Sequence, residues 1–192
     1  MSRCYRISLK ETISKTVSAS DQMTHRVELQ EGILGEEDMK DILRSSLLEE
    51  GWVEKEDGKF HLESEDGEDL VWDLEEKEVS ASIKGETSFE KEVVVSGGGA
   101  DDKQATKDAQ KRMKVAKSQV DIDAEKIKNN LRKDITRQLE ENEASRKKKL
   151  NRVVRKTYAE ALKKKASLLG TIMSMDENQN GDDHQLTIRV LA

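Results

Sequence analysis

From Asp101 to Leu169 the chain runs 69 residues without a glycine or a proline, in a stretch built almost wholly of helix formers. That run predicts a very long helix, or two stacked ones, and strand-like segments lie on both sides of it. A single continuous helix is the preferred reading, with a helical hairpin around residues 140–149 as the alternative. At 1.5 Å per residue one helix would span on the order of 100 Å. Asp101 and Asp102 supply a cap at its start, and Gly170 suits the position after its end.

The apolar register inside the run is regular. Ala105, Ala109, Met113, Ala116, Val120, Ala124, Ile127, Leu131 and Ile135 are separated by steps of 4, 4, 3, 4, 4, 3, 4 and 4. This eleven-residue rhythm predicts a straight or slightly right-handed packing seam, not the left-handed supercoil of a heptad repeat. Its many alanines mean that whatever packs there comes close. The seam falters from Glu140 to Lys149 and resumes with Leu150, Val153, Val154, Tyr158, Ala161, Leu162, Leu168 and Leu169.

Before the helix the pattern is mixed. Tyr5 to Lys10 alternates as a half-buried strand does, Asp21-Gln22 suggests a turn, and Thr24 to Leu29 reads as an antiparallel partner strand. Gly35-Glu36-Glu37-Asp38 opens a helix with Met39, Ile42, Leu43, Leu47 and Leu48 on one face, closed by Gly51. Short strands follow around Trp52-Val53, after the Asp57-Gly58 turn signal at Phe60, and at Leu70–Leu74, Val79–Ile83 and Phe89–Val95. Trp52, Phe60, Trp72 and Phe89 are expected to anchor one core; stacking on a ring ligand is the alternative. Ser96-Gly97-Gly98-Gly99 reads as a hinge. Thr171–Met175 and Gln185–Leu191 predict a terminal hairpin that returns to the sheet.

Charged residues make up 39% of the chain, hydrophobics 34% and aromatics 3%, with no proline. A fold with a small core explains this better than disorder, because the polar residues are periodic. Net charge is −6 but unevenly spread. Residues 1–99 hold 12 basic against 25 acidic side chains, and residues 100–192 hold 22 against 15. An acidic head joined to a basic arm can draw its own parts together or orient the molecule on a partner.

The single cysteine, Cys4, rules out an intramolecular disulfide and a cysteine-based zinc site, and reads as a small buried hydrophobe. Neither a membrane-length apolar run nor a signal-peptide pattern is seen, so a cytoplasmic location is expected.

Asp176-Glu177-Asn178-Gln179-Asn180-Gly181 copies the first half of a calcium-binding EF-hand loop, but Thr187 stands where the bidentate glutamate belongs and no helices flank it. It reads as a polar turn. His25, His61 and His184 sit singly in strand-like segments. Phosphate-binding, nucleophile-elbow and zinc-protease motifs are missing. No catalytic residue, metal or cofactor is expected, and the chain does not read as an enzyme. The basic runs Arg146 to Lys149, Arg152, Arg155-Lys156 and Lys163 to Lys165 allow three readings: a solvated face, an acidic protein partner (the chain's own head included), or nucleic acid or anionic lipid.

Ser2-Arg3-Cys4-Tyr5-Arg6-Ile7-Ser8-Leu9-Lys10-Glu11-Thr12, with Val27-Glu28-Leu29, resembles the opening of small bacterial accessory proteins. Those are encoded beside a MoxR-type or FtsH-like AAA+ ATPase and a von Willebrand A-domain protein as ternary systems. Leu70 to Val79 looks like their acidic strand-turn-strand. Val153-Val154-Arg155-Lys156-Thr157-Tyr158, running to Gly170 and a hairpin, is similar to a cyanobacterial and algal-plastid family of unknown function. The resemblance implies a substrate-recognising or scaffolding partner of such an ATPase and carries over no catalytic residue.

These observations lead to an α+β fold: an antiparallel meandering sheet, one short helix, a long basic helical arm and a C-terminal β-hairpin. The expected organisation is a head (residues 1–95), a glycine hinge (96–100), the arm (101–170) and the hairpin (171–192). The expected function is a non-catalytic adaptor or accessory subunit. Its partner-binding residues would be Arg146, Lys147, Lys148, Arg152 and Arg155, with Glu65, Asp66, Glu68 and Asp69 as a second surface. Nucleic-acid binding through the arm, or self-association through the alanine seam as a homodimer, are the alternatives.

Overall fold

The computed structural model describes residues 5–29, 32–64, 66–180 and 183–191. In chain order its elements are β1 (Tyr5–Arg26), α1 (Glu36–Glu49), β2 (Val53–Glu54), β3 (Phe60–Glu63), β4 (Asp69–Asp73), β5 (Glu78–Gly99), α2 (Asp102–Glu141), α3 (Glu143–Leu169), β6 (Thr171–Asn180) and β7 (Asp183–Leu191). Strands β1 to β5 form an antiparallel sheet in the order β1-β5-β4-β3-β2. The protein is α+β. Its chain divides into two compact units, one of residues 1–21 and 83–138, the other of residues 22–82 and 139–192. Strands β1 and β5 and helix α2 contribute to both.

The first unit joins the long strands to α2. Where two short strands and a turn at Asp21-Gln22 were expected, β1 is one strand of 22 residues. Its partner is β5, not its own second half, and β5 likewise runs 22 residues where two strands were expected. Ser8 Oγ meets Ser96 Oγ at 2.9 Å, and Ser14 Oγ donates to Glu90 Oε1 at 3.0 Å across the two strands. Pairing with a neighbouring strand removes the reason to turn, because the backbone at Asp21-Gln22 stays extended within β1. Val93 of β5 forms a small core with Met113 and Val120 of α2, and Leu9, Ile13, Phe89 and Val95 pack around it. Phe89 thus belongs to a different core from Trp52, Phe60 and Trp72.

The seam of α2 is the buried stripe of this unit. Ala105 and Ala109 are fully buried, and Met113, Val120 and Ile135 nearly so. What comes close is glycine. A Cβ on Gly97 would lie 2.3 Å from both Ala105 O and Ala109 N, and one on Gly99 would lie 2.6 Å from Ala105 N. The glycines expected to form a hinge are therefore the last residues of β5, seated on the helix. Asp101 Oδ1 accepts the Gln104 N–H at 2.7 Å while Gln104 Oε1 accepts the Ala100 N–H at 3.0 Å, a reciprocal cap at the helix start. Around the apolar stripe, Glu11 pairs with Lys117 at 2.6 Å, and Lys15 and Lys91 pair with Asp121 and Asp123.

In the second unit α1 places Met39, Leu43 and Leu47 in a core with Trp52, Phe60, Leu70, Trp72 and Val79. Trp52 and Trp72 meet edge to face, ring centres 5.7 Å apart, a favourable arrangement of their quadrupoles. Gly51, at φ +86, ends α1 in a conformation that side-chain-bearing residues rarely adopt. Between α2 and α3 only Asn142 interrupts the helix, itself in the right-handed helical region (φ −77, ψ −7). No reversing turn is present, which removes the helical hairpin. The C-terminal hairpin does not return to the main sheet: β6 and β7 pair with one another as a separate two-stranded sheet. Cys4, Glu65 and Gly181 lie outside the described residues.

Replacing Gly97 with alanine should lower stability by about 1–3 kcal/mol, because a methyl group cannot enter against helix backbone without parting strand from helix. Thermal melting of Gly97→Ala beside Val94→Ala, at an exposed site on the same strand, checks this. Equal melting temperatures would refute the close contact.

Candidate partner-binding surface

The basic residues of α3 meet acids of their own unit. Ser64 N–H bonds to the Glu68 carbonyl at 2.8 Å and Gly67 N–H to the Ser64 carbonyl at 3.0 Å, closing the β3–β4 turn. The closed turn directs the Glu68 carboxylate at Arg146 Nη1. Arg146 Nη2 also donates to the Leu139 carbonyl at 3.3 Å and approaches Met23 Sδ at 3.7 Å. The two charged side chains are 0% and 3% exposed. Arg146 and Glu68 were expected on partner-binding surfaces; they are instead buried against one another.

Farther along α3, Lys149 Nζ bonds to Ser64 Oγ. Arg152 pairs with Glu50 at 2.8 Å, Lys156 with Glu49 at 2.6 Å and Glu50 at 3.5 Å, and Lys164 with Asp38 at 2.7 Å. Lys165 Nζ donates to the Gly32 carbonyl at 2.9 Å. The acidic partner of this helix is in good part the chain's own α1 and β3–β4 turn. The Glu49 carboxylate, hydrogen-bonded to Lys156, holds that ammonium above its ordinary value of 10.5, and Glu50 adds to the effect.

The remaining expected residues are spread around this match. Lys147 and Lys148 are exposed on α3. Lys147 pairs with Glu143 one turn back and keeps that carboxyl below its usual range. Arg152 is 76% exposed even in its ion pair. Arg155 is half-buried and has an interaction of its own. Asp66 is exposed beside Ser64 Oγ, 3.4 Å away. Asp69 is half-buried, its Oδ1 3.9 Å from His61 Nδ1. Outward from the turn, then, Lys147, Lys148, Arg152 and Asp66 are what a partner can reach.

Metal chemistry finds no support in the segment that resembled a calcium loop. Asp176 pairs across β6–β7 with Thr187 and Asn178 with Gln185. Alternate residues of a strand lie about 6.6–6.8 Å apart, so this ladder spreads the carboxylate and the amide instead of wrapping them round an ion. Among the described residues no group of three or more His, Cys, Asp or Glu is placed to hold a metal. None of the described helices is long and apolar enough to cross a membrane.

A second cleft was invisible to sequence reasoning. It lies in the same unit, has a volume of about 290 Å³, and is walled by Leu34, Met39, Leu43, Trp72 and Leu74, with Glu36, Lys40 and Lys77 as the charged members of its lining. Its residues come from three separate stretches, 27–29, 34–43 and 72–77, so no local motif announces it.

Arg146→Met should destabilise the protein by about 3–5 kcal/mol, because it strands a buried carboxylate. Arg146→Met with Glu68→Met should be markedly more stable than either single variant. Urea unfolding of the three reads this directly, and additive losses would count against a coupled pair. The raised Lys156 stabilises at every pH below its ordinary value, and that contribution is lost as pH climbs through the raised one. Parent protein should therefore lose more melting temperature above pH ~10.5 than Lys156→Met does; parallel curves would contradict this.

No curated protein and no solved structure matches the chain. The family model described as FtsH ternary system domain X5 matches residues 1–192. The resemblance of the opening residues and of Leu70 to Val79 to accessory proteins of FtsH-like ternary systems points the same way, and the chain belongs to the FtsH ternary system domain X5 family.

Proposed function

We propose that the protein is a non-catalytic accessory subunit, an adaptor that binds a protein partner within an FtsH-associated ternary system in the cytoplasm. The family match across the whole chain carries this reading. The partner is an AAA+ ATPase or a von Willebrand A-domain protein of that system. Its contact surface is the outward part of α3 at Lys147, Lys148, Arg152 and Arg155, with Asp66 and Asp69 as a second patch. Charged rims of this kind steer encounter and set specificity more than they add affinity.

Nucleic acid is a poorer occupant, because phosphates need cations that are not already engaged. Arg146, Arg152, Lys156 and Lys164 all face carboxylates of their own unit. Self-association through the alanine seam also fits poorly, since Ala105 and Ala109 are already covered within one chain.

Affinity capture from native lysate at about 0.15 M salt, with and without nuclease, should retain an ATPase or a von Willebrand A-domain protein in both samples. Capture that disappears with nuclease would overturn the reading. Lys147→Glu with Lys148→Glu should weaken partner binding about tenfold, or ~1.4 kcal/mol, at an unchanged melting temperature. Unaltered binding would move the contact elsewhere.

A further inference from the structure

The cleft walled by Leu34, Met39, Leu43, Trp72 and Leu74 has the composition of a ligand site: an apolar interior with few polar groups at one end. Three observations on that polar end agree. Lys40 Nζ lies 4.0 Å from Glu36 and 3.6 Å from Glu75, and Lys77 Nζ lies 3.4 Å from the same Glu36 oxygen. These distances exceed the 2.7–2.9 Å of a charge-assisted hydrogen bond, whereas Lys156 and Lys164 reach 2.6 and 2.7 Å in the same unit. The two ammoniums are thus held in longer ion pairs than Lys156 and Lys164 are, and a closer acceptor would displace those pairs.

Lys77 is also, among the described residues, the one non-glycine with positive φ, at +57. Turns usually give this conformation to glycine or asparagine, and a side chain held there at a cost points to a use for it. Its carbonyl accepts the Val27 N–H at 2.8 Å, which fixes the backbone that presents the ammonium. Finally, α1 enters the cleft wall at its N-terminus. The cap there, Gly35, makes no side-chain hydrogen bond, and the first turn itself carries Glu36, Glu37 and Asp38. That end of the helix favours negative charge.

We propose that this cleft binds a medium-chain acyl carboxylate, its hydrocarbon against Met39, Leu43, Trp72 and Leu74 and its carboxylate between Lys40 and Lys77 at the start of α1. Hydrocarbon in the cleft replaces water beside apolar walls, and the carboxylate accepts hydrogen bonds from two ammoniums otherwise held in three longer ion pairs. Glu36 competes with the ligand for both lysines and so limits its affinity. The site is separate from the outward face of α3 and stands whether or not that face binds a partner.

Trp72 lines the site and reports on it. The test is titration of intrinsic tryptophan fluorescence on the full chain with decanoate, decan-1-ol and decylammonium, each below its aggregation limit. Decanoate should saturate and bind at least about tenfold more tightly than the other two. Lys40→Gln with Lys77→Gln should keep decanol binding and lose the preference for decanoate. Glu36→Gln should tighten decanoate several-fold, an opposite effect that loss of fold could not mimic. Equal binding of the three amphiphiles, or no saturable signal with decanoate, would overturn the assignment. So would tighter binding of a pentapeptide with a free C-terminal leucine, which would give the cleft to a chain terminus.

Discussion

In each unit the helical segment carries an inward stripe, and the strands and turns of that same unit are organised around covering it. In the first unit the stripe is narrow and flat at its start, where Ala105 and Ala109 stand. Strand β5 answers with Gly97 and Gly99, whose missing side chains let the strand backbone sit against helix backbone. Each half explains the other: alanine without glycine would leave a gap, and glycine without alanine would meet a wall. The long strands follow from the same demand, since two short hairpin strands could not track forty residues of helix.

The stripe of the second unit is not wholly apolar. Its positions are Leu139, Asn142, Arg146, Leu150, Val153, Thr157 and Ala161, in steps of 3, 4, 4, 3, 4 and 4. Asn142 and Arg146 simply hold places in the rhythm that hydrophobes hold elsewhere. Burying a guanidinium there requires an acid of matching depth, and the β3–β4 turn delivers Glu68. Such a pair contributes specificity of register more than net stability, because both charges lose their water. Around it the more exposed pairs of Arg152, Lys156 and Lys164 are shared with solvent and are individually worth little.

This arrangement bears on the partner role. Neutralising much of α3 with the chain's own acids leaves a mixed surface, not a broad cationic stripe, and mixed surfaces discriminate between protein partners better than they grip a polyanion. The apolar cleft beside α1 adds a place where chemistry other than charge can act.

Local pattern was enough for the α+β class, the position of α1, the Asp57-Gly58 hairpin, the long helix and the seam from Ala105 to Ile135, because each depends on neighbours three or four residues away or on one turn. The opening residues and the acidic stretch around Trp72 were likewise sufficient to suggest the ternary-system family. The continuity of β1 through Asp21-Gln22 and of β5 through Gly85 depended on strand partners distant in the sequence, which no local signal encodes. The same is true of the hairpin's separate sheet and of the glycines at 97 and 99, read as a hinge when nothing was known to press on them. Arg146 shows the difference most plainly. Its neighbours Lys147, Lys148 and Lys149 made it look like one more surface cation, and only the turn that brings Glu68 beside it decided that this charge would be buried.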